Sequence, residues 1–180
     1  MISIFRRPLL LLVLSGFTGL VAQPVWADED PVAEVQAAQV TASADATWRS
    51  KVIDDALAHL GTRYRYGGST PQSGFDCSGL VRWVFDQSIG MTLPRRAVEI
   101  AQLGAKVDLG NLKPGDLVFF NTLRKSFSHV GIYLGEGQFV HAPSKGGTVR
   151  IETIADGYWQ KRFTGARRIA DTSLTAPTLN

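Results

Sequence analysis

The 180-residue sequence has one cysteine, little net charge and no long apolar run. A single cysteine, Cys77, excludes an internal disulfide. A formal net charge of only +3 gives no support to nucleic-acid binding. The main apolar stretch, from Pro8 to Val21, is interrupted by a serine and two glycines and is too short for a comfortable membrane span. These absences leave the lone cysteine as the feature that most needs an explanation.

The first 27 residues are typical of an export signal. Arg6 and Arg7 precede the apolar run, and Val25-Trp26-Ala27 resembles a small-residue cleavage site. Cleavage there would leave 153 of the 180 residues, enough for one domain, and would remove two positive charges, from +3 to +1. No cysteine lies near the cleavage site, which excludes lipid attachment there, and the arginine pair leaves twin-arginine export open. We expect a periplasmic or extracellular protein that is not a lipoprotein.

Two further segments lack the composition of a core. Residues 28–46 are rich in Ala, Val, Asp and Glu without an aromatic residue and predict a flexible lead, and residues 171–180 predict a disordered tail. The expected domain therefore spans residues 47–170. It opens with a predicted core-packing helix from Thr47 to Leu60, which Gly61 ends.

Cys77 lies where a glycine-rich loop meets a predicted helix. The apolar residues after Cys77 recur at helical spacing until about Ser88 and Gly90. Exposed backbone N–H groups at a helix N-terminus favour an anion, so we expect a lowered thiol pKa and a site for an oxyanion. A lone cysteine is often only a small buried hydrophobe. Here glycines crowd it on both sides, which favours close approach of a substrate and a role as a nucleophile.

The second half of the domain has runs typical of β-strands. The turn signature Pro114-Gly115-Asp116 leads into the apolar run Leu117 to Phe120, which predicts a central strand. A short helix is expected before it, from Arg96 to Leu103. Further strands are predicted from Ser128 to Leu134, Gln138 to His141, Thr148 to Thr153 and Phe163 to Arg168. Together these strands predict an antiparallel sheet.

The first two of these further strands form a predicted hairpin that carries two histidines. With a three-residue loop at 135–137, position 131 lies opposite His141, and His129 sits diagonally from His141 on the same face. A two-residue loop would send the two imidazoles to opposite faces. The turn length is therefore a test of whether the histidines meet.

A thiol, a base and a group that orients the base make up the Cys-His form of acyl-transfer catalysis. We assign His129 as the base because it follows the open Ser126-Phe127-Ser128 loop, and His141 as the group that holds its imidazole. The third histidine, His59, ends the first helix, where contact with terminal carbonyls is more typical.

One of two tyrosines and one arginine are further candidates for substrate contact. Tyr64 and Tyr66 point to one side of an extended segment just before the cysteine loop, and one of them is expected to overlook the site. Arg95 can clamp a carboxylate through two parallel hydrogen bonds. The alternative is that Arg95 pairs internally with an acid such as Asp116 and stabilises the fold.

Several ordered blocks of this sequence resemble the NlpC-type family of bacterial cell-wall cysteine peptidases over about residues 48 to 168. The blocks are Gly61 to Gly68, Phe75-Asp76-Cys77-Ser78-Gly79-Leu80-Val81, Leu93-Pro94-Arg95, Pro114 to Phe120, Ser128 to Gly135 and Phe139-Val140-His141-Ala142.

The resemblance implies a papain-like α+β fold, in which the nucleophile sits at the N-terminus of a helix packed against a sheet that carries both histidines. It implies Cys77 as nucleophile, His129 as base and His141 as the third polar residue. A tyrosine near the oxyanion corresponds to Tyr64, and Asp76 and Ser78 correspond to positions that contact the peptide. It also implies hydrolysis of amide bonds in peptidoglycan stem peptides or cross-links. We expect a monomer that needs no cofactor and binds no nucleic acid.

Three alternatives stay open. Cys77, His129 and His141 could offer a sulfur and two nitrogens to zinc, with an open fourth position. The domain could be a non-enzymatic wall-binding module on an inactive peptidase fold. An acyltransferase or amidase could use the same Cys-His logic, because a thioester can be intercepted by water or by another nucleophile.

Overall fold

The computed structural model describes residues 31–122, 124–143 and 147–169. In these parts of the chain, six strands form one antiparallel sheet in the order β3-β8-β4-β5-β6-β7. The helices are α1 (Pro31–Ala58), α2 (Cys77–Ile89), α3 (Ala97–Ile100) and α4 (Gly157–Gln160). The strands are β1 (Ser69–Thr70), β2 (Gly74–Phe75), β3 (Ala105–Val107), β4 (Leu117–Phe120), β5 (His129–Gly135), β6 (Gln138–His141), β7 (Arg150–Thr153) and β8 (Phe163–Arg168). The predicted α+β class is confirmed.

Strand β4 is buried on both of its faces, which explains its unbroken apolar sequence. Side chains alternate along a strand, so Leu117 and Phe119 join one core cluster and Val118 and Phe120 another. The first cluster lies between the sheet and the helices α1 and α2. The second lies on the opposite face and includes Trp159 of α4. The predicted position of β4 inside the sheet is confirmed, with β8 and β5 as its neighbours.

The β5–β6 hairpin brings its two histidines to one face although its loop has only two residues. Ile132 pairs with Val140, whereas Gly135 pairs with Gln138, so the loop between the last pair has two residues and the register shifts just before it. The bulge adds one residue to β5, so the strands beyond it pair in the register that a three-residue loop would give. Gly131 permits the close pairing, because a Cβ there would lie 2.7 Å from the Phe139 ring.

Helix α1 begins earlier than predicted. It starts at Pro31 instead of Thr47, so residues 31–46 of the predicted flexible lead are helical. Alanine, glutamine and glutamate favour helix, and proline suits a first helical position. The helix becomes buried only from Trp48 onward, and Val32, Val35 and Val40 are exposed. Without a buried face this part has no amphipathic pattern, and the prediction missed it for that reason.

Smaller differences concern the elements around the site. Helix α3 is shorter than predicted, because its last residues tighten into turns: Leu103 N–H donates to Ile100 O at 3.0 Å before Gly104 adopts a φ of 68°. Strand β3, helix α4 and the short β1–β2 pair were not predicted. The predicted signal at 1–27, the start of the lead at 28–30 and the tail at 171–180 lie outside the described residues. Within the part of the chain that the structure describes, no helix is both long and apolar enough to span a membrane.

Candidate active site

The N-terminus of α2 and the start of β5 meet at one end of the sheet, where they border a cleft of about 1060 Å³. Helix α2 packs on one face of the sheet, whereas the His129 imidazole lies on the other, against Phe120 and Trp159. Six of the seven predicted site residues line this cleft, namely Tyr64, Asp76, Cys77, Ser78, Arg95 and His129. The seventh, His141, is fully buried behind His129.

Cys77 is held as the first residue of α2 by Asp76, which caps the helix, and by the close contact of the Gly68 carbonyl with the start of the helix. The Asp76 carboxylate caps the helix by accepting from Gly79 N–H at 2.7 Å. Asp76 N–H donates to Gly68 O at 3.0 Å. A Cβ at position 79 would lie 2.0 Å from that same carbonyl oxygen, so only glycine lets the loop rest against the helix. At the other end, Gly90 closes α2 in the left-handed conformation, as predicted.

The Cys77 thiol is not acidified by its helix terminus, contrary to the prediction. Burial, followed by the adjacent Asp76 carboxylate, raises the pKa of Cys77 to about 11. The backbone N–H groups of Val130 and Ser78 and the Arg95 charge act in the opposite direction but do not prevail. The resting side chain at neutral pH is therefore a thiol. The Val130 interaction also shows that Cys77 lies against the start of β5, next to His129.

The two predicted histidines form a hydrogen-bonded pair. His129 Nε2 lies 2.7 Å from His141 Nδ1, with the ring planes at 88°. Burial lowers the pKa of each imidazole to about 3, with a further lowering by His141 at His129 and by Arg150 at His141. Both rings are therefore neutral at pH 7, and one donates to the other. This bond leaves Nδ1 as the remaining ring nitrogen of His129.

The same bond bears on the zinc alternative. A zinc site would need both imidazoles to direct a nitrogen at one ion together with Cys77. Here the two nitrogens are directed at each other. Across the described ranges, no three His, Cys, Asp or Glu side chains are grouped as metal ligands.

Arg95 pairs inside the cleft, with Asp76 and Ser78. Its Nη1 donates to Asp76 Oδ1 at 2.9 Å and to Ser78 Oγ at 2.8 Å, and its Nη2 donates to Asp76 Oδ2. Gly67 N–H completes the set by donating to Oδ2 at 2.9 Å. We call Asp76, Ser78 and Arg95 the cleft cluster. The Arg95 side chain keeps 37% of its surface exposed.

Asp116, the alternative partner predicted for Arg95, belongs elsewhere. It is fully buried and accepts from Arg168 Nε at 2.9 Å, from Arg168 Nη2 at 2.7 Å and from Arg49 Nη1 at 3.3 Å. We call Asp116, Arg49 and Arg168 the Asp116 brace. It joins α1 and β8 to the turn before β4. Arg95 does pair with an acid, as the alternative predicted, but that acid is Asp76 and not Asp116, whose carboxylate is occupied by two other arginines.

The remaining predicted residues divide between cleft and core. Tyr64 is half-buried at the cleft, and burial together with Cys77 and Asp76 raises the pKa of its phenol, so the hydroxyl stays a hydrogen-bond donor at neutral pH. Tyr66 is 89% exposed. His59 lies away from the cleft, with its ring 5.3 Å from Phe75 and 6.3 Å from Trp83 between centroids.

The prediction missed three residues that surround the histidine pair. Trp159 stacks on His129 at 5.4 Å between ring centroids, and its indole N–H donates to Glu152 Oε2. Arg150 Nε donates to Glu152 Oε1 at 2.6 Å. The predicted strand at Thr148 to Thr153 already placed Arg150 and Glu152 on one face. What it lacked was the β6–β7 register, in which Phe139 pairs with Glu152 and His141 with Arg150.

Comparison with known proteins identifies the family of this chain. The γ-DL-glutamyl hydrolase of Bacillus subtilis (strain 168) is 45% identical over 130 residues, which is 72% of this chain and 31% of that protein. The murein DD-endopeptidase MepH of Escherichia coli (strain K12) is 41% identical over 120 residues, 65% of this chain and 44% of that protein. The chain thus spans less than half the length of these two relatives.

Solved structures agree with the sequence comparisons. The crystal structure of an NlpC/P60 family protein from Bacillus cereus ATCC 10987 superposes with a TM-score of 0.62 at 32% identity, over 67% of this chain and 39% of that chain. This confirms the papain-like fold. The sequence model of the NlpC/P60 family matches residues 61–168, more than half of the chain. The chain therefore belongs to the NlpC/P60 family, as its motifs predicted.

Proposed function

We propose that this protein is a cysteine endopeptidase that hydrolyses amide bonds in peptidoglycan stem peptides or cross-links. The observation that carries the proposal is the cleft that holds the Cys77 thiol at the start of α2 beside His129, whose ring is hydrogen-bonded to His141. The relatives support it, since one is named a murein DD-endopeptidase and the other a γ-DL-glutamyl hydrolase.

The reaction starts from a neutral thiol and a neutral imidazole. Because the pKa of Cys77 is raised and that of His129 is lowered, a standing thiolate–imidazolium pair is not the resting state. His129 Nδ1 takes the thiol proton as the sulfur attacks the scissile carbonyl and the C–S bond forms. Proton transfer and attack are therefore coupled to substrate binding.

The tetrahedral intermediate then collapses to a thioester. The C–N bond breaks, and the proton on His129 passes to the leaving amine. Water attacks the thioester while His129 removes its proton. The C–S bond breaks, and the proton returns to the Cys77 sulfur. The donors that we propose for the oxyanion are the protonated Tyr64 hydroxyl and the N–H groups in the first turn of α2.

The cleft cluster is the proposed contact for the substrate peptide. Stem peptides carry free carboxylates, and Arg95 offers a guanidinium that Asp76 holds in place at the edge of the cleft. A held guanidinium loses less entropy on binding a carboxylate than a free one does. Ser78 and Asp76 complete a polar wall beside the nucleophile. Export through the signal predicted at residues 1–27 would bring the enzyme to the wall, and N-terminal sequencing of the mature protein tests that step.

Product analysis on purified peptidoglycan tests the function. We expect the protein to release soluble peptide fragments, each cleavage adding one water by mass spectrometry, and expect Cys77→Ala to release none. Zinc chelators should leave the activity intact, whereas thiol alkylation should abolish it. Binding to peptidoglycan without cleavage would instead support an inactive wall-binding module. If the released acyl group is joined to an added amine and not to water, the acyltransferase alternative would be supported.

A further inference from the structure

The Glu152 carboxylate lies beside the ring nitrogen of His141 that does not contact His129. His141 Nδ1 bonds His129, and His141 Nε2 is 3.2 Å from Glu152 Oε2. The approach is close but not aligned as a hydrogen bond, and in the described chain Nε2 has no other hydrogen-bond partner. His141 is fully buried, so an unsatisfied N–H there would be costly. After a small rotation of the imidazole or the carboxylate, His141 Nε2–H would donate a hydrogen bond to Glu152.

Two residues hold Glu152 in this position. Arg150 Nε and Nη2 both contact Oε1, at 2.6 Å and 2.5 Å. The Trp159 indole N–H donates to Oε2, while its ring stacks on His129 and lies 4.9 Å from the His141 ring between centroids. Trp159 is buried, so its ring has little freedom to move. The carboxylate and the two imidazoles are thus held as one unit.

The proton order within this unit decides whether His129 can act as a base. An ionised carboxylate only accepts hydrogen bonds, so it favours a proton on His141 Nε2. His141 Nδ1 then carries the lone pair and accepts from His129 Nε2–H. His129 Nδ1 is left unprotonated, as the base requires. The reverse order would turn a His141 lone pair toward the carboxylate and place a proton on His129 Nδ1, where it blocks uptake of the thiol proton.

We propose that Glu152 is a positioning residue that selects the catalytically competent tautomer of both histidines. This inference rests on the proposed function and deepens it. Glu152 acts through His141 and does not itself exchange a proton with the substrate. It adds a fourth member to the series Cys77, His129 and His141.

NMR of the full chain with 15N-labelled histidine rings tests the proton order without substrate. In the wild type we expect His129 and His141 both to be protonated at Nε2. Glu152→Leu removes the acceptor, so the Nδ1-protonated form of His129 should appear. Glu152→Gln keeps the size and an acceptor oxygen, and should restore much of the wild-type pattern. Glu136→Gln, in the exposed β5–β6 loop, is the matched control and should change nothing.

Kinetics on peptidoglycan fragments give the second readout. We expect Glu152→Leu to lower kcat about ten- to a hundredfold with little change in KM, and Glu152→Gln to recover part of the loss. Unchanged tautomers and unchanged kcat in Glu152→Leu would overturn the proposal. If Glu152→Leu fails to fold, a Glu152→Gln variant that keeps the wild-type tautomers but loses as much kcat as is expected for Glu152→Leu would overturn it. A tautomer shift in a protein that never cleaves peptidoglycan would instead uphold Glu152 and reject the proposed function.

Discussion

Two aspartates of this protein each bind arginine through both carboxylate oxygens, yet they occupy opposite kinds of site. Asp76 stands between β2 and α2, and Asp116 ends the turn before β4, so each immediately precedes an element that packs into the core. The Asp76 partner, Arg95, is 37% exposed at the cleft. The Asp116 side chain is fully buried, and Arg49, one of its two partners, is 9% exposed.

The difference teaches that an acid–arginine pair takes its role from its surroundings. In the Asp116 brace, two arginines from α1 and β8 converge on one carboxylate, and their charge is used inside the fold. In the cleft cluster, one arginine meets one carboxylate that also caps α2. We therefore expect variants at the brace to change stability and variants around the cleft to change activity.

The largest effect should come from the cleft. Cys77→Ala and His129→Ala should each lower the rate of hydrolysis about a thousandfold or more. The first removes the sulfur that bonds to the substrate carbonyl, and the second removes the base that transfers protons. Both variants should remain folded, and the melting temperature of Cys77→Ala should stay close to the wild type. Turnover of peptidoglycan fragments, measured with thermal unfolding on the same preparations, checks this. Near-wild-type turnover by either variant, free of contaminating hydrolase, would reject the mechanism.

The brace should give the largest loss of stability. Asp116→Asn leaves two arginine charges without their carboxylate, and we expect a loss of about 3–5 kcal/mol in the free energy of unfolding. Asp76→Asn is the matched control, because asparagine can still cap α2 and Arg95 can reach water, so we expect no more than about 1 kcal/mol. Urea unfolding measures both. Equal losses would show that the two pairs do not differ in the way we describe.

His141 should have an intermediate effect within the cleft. His141→Gln removes the ring that orients His129 but leaves the base in place, so we expect a rate loss of roughly ten- to a thousandfold. The loss should appear in kcat, with KM nearly unchanged, in steady-state assays on peptidoglycan fragments. A loss as large as that of Cys77→Ala would mean that His141 does more than orient His129.

A smaller effect is expected on the pKa of Cys77, which Asp76 influences and Asp116 does not. Since the pKa of Cys77 is raised to about 11, the rate of alkylation by iodoacetamide should keep rising from pH 6 to pH 10. Asp76→Asn removes a negative neighbour and should move the profile to lower pH, whereas Asp116→Asn should not. A plateau near neutral pH in the wild type would show that the helix terminus prevails over burial.

The smallest effect is expected at Arg95. Arg95→Lys keeps the charge but loses the two-pronged geometry, so we expect KM for carboxylate-bearing fragments to rise about fivefold, with little change in melting temperature. Fragments whose carboxylate is amidated should show no such change. Arg168→Lys, its counterpart in the brace, should lower the melting temperature and leave KM alone. A stability loss without a KM change in Arg95→Lys would make Arg95 a structural residue.

Elements with their own local signals were predictable. The start and end of α2 follow from Asp76 and Gly90, and β4 follows from its turn and its apolar run. The early part of α1 was missed because helix propensity without a buried face leaves no periodic pattern. The bulge in the β5–β6 hairpin was also missed. It shifts the register by one residue, and the local sequence does not distinguish it from a longer loop.

The candidate site divides in the same way. Cys77, His129 and His141 could be chosen because their types, order and neighbours indicate one chemistry, although their roles stay predictions. Glu152 and Trp159 could not, because their contacts with the histidines depend on the β6–β7 register and on the packing of α4. The thiol pKa was predicted in the wrong direction, since a helix terminus is visible in sequence whereas burial is not.

The sequence by itself determined that Cys77 lies at the start of a helix, because capping, glycine spacing and apolar periodicity act between neighbouring residues. Only the tertiary structure decided which charges meet. Arg95 is 19 positions from Asp76, and Arg168 is 52 positions from Asp116. Over such separations, pairing depends on how the chain packs, and burial then sets whether a charge serves the fold or remains at the cleft.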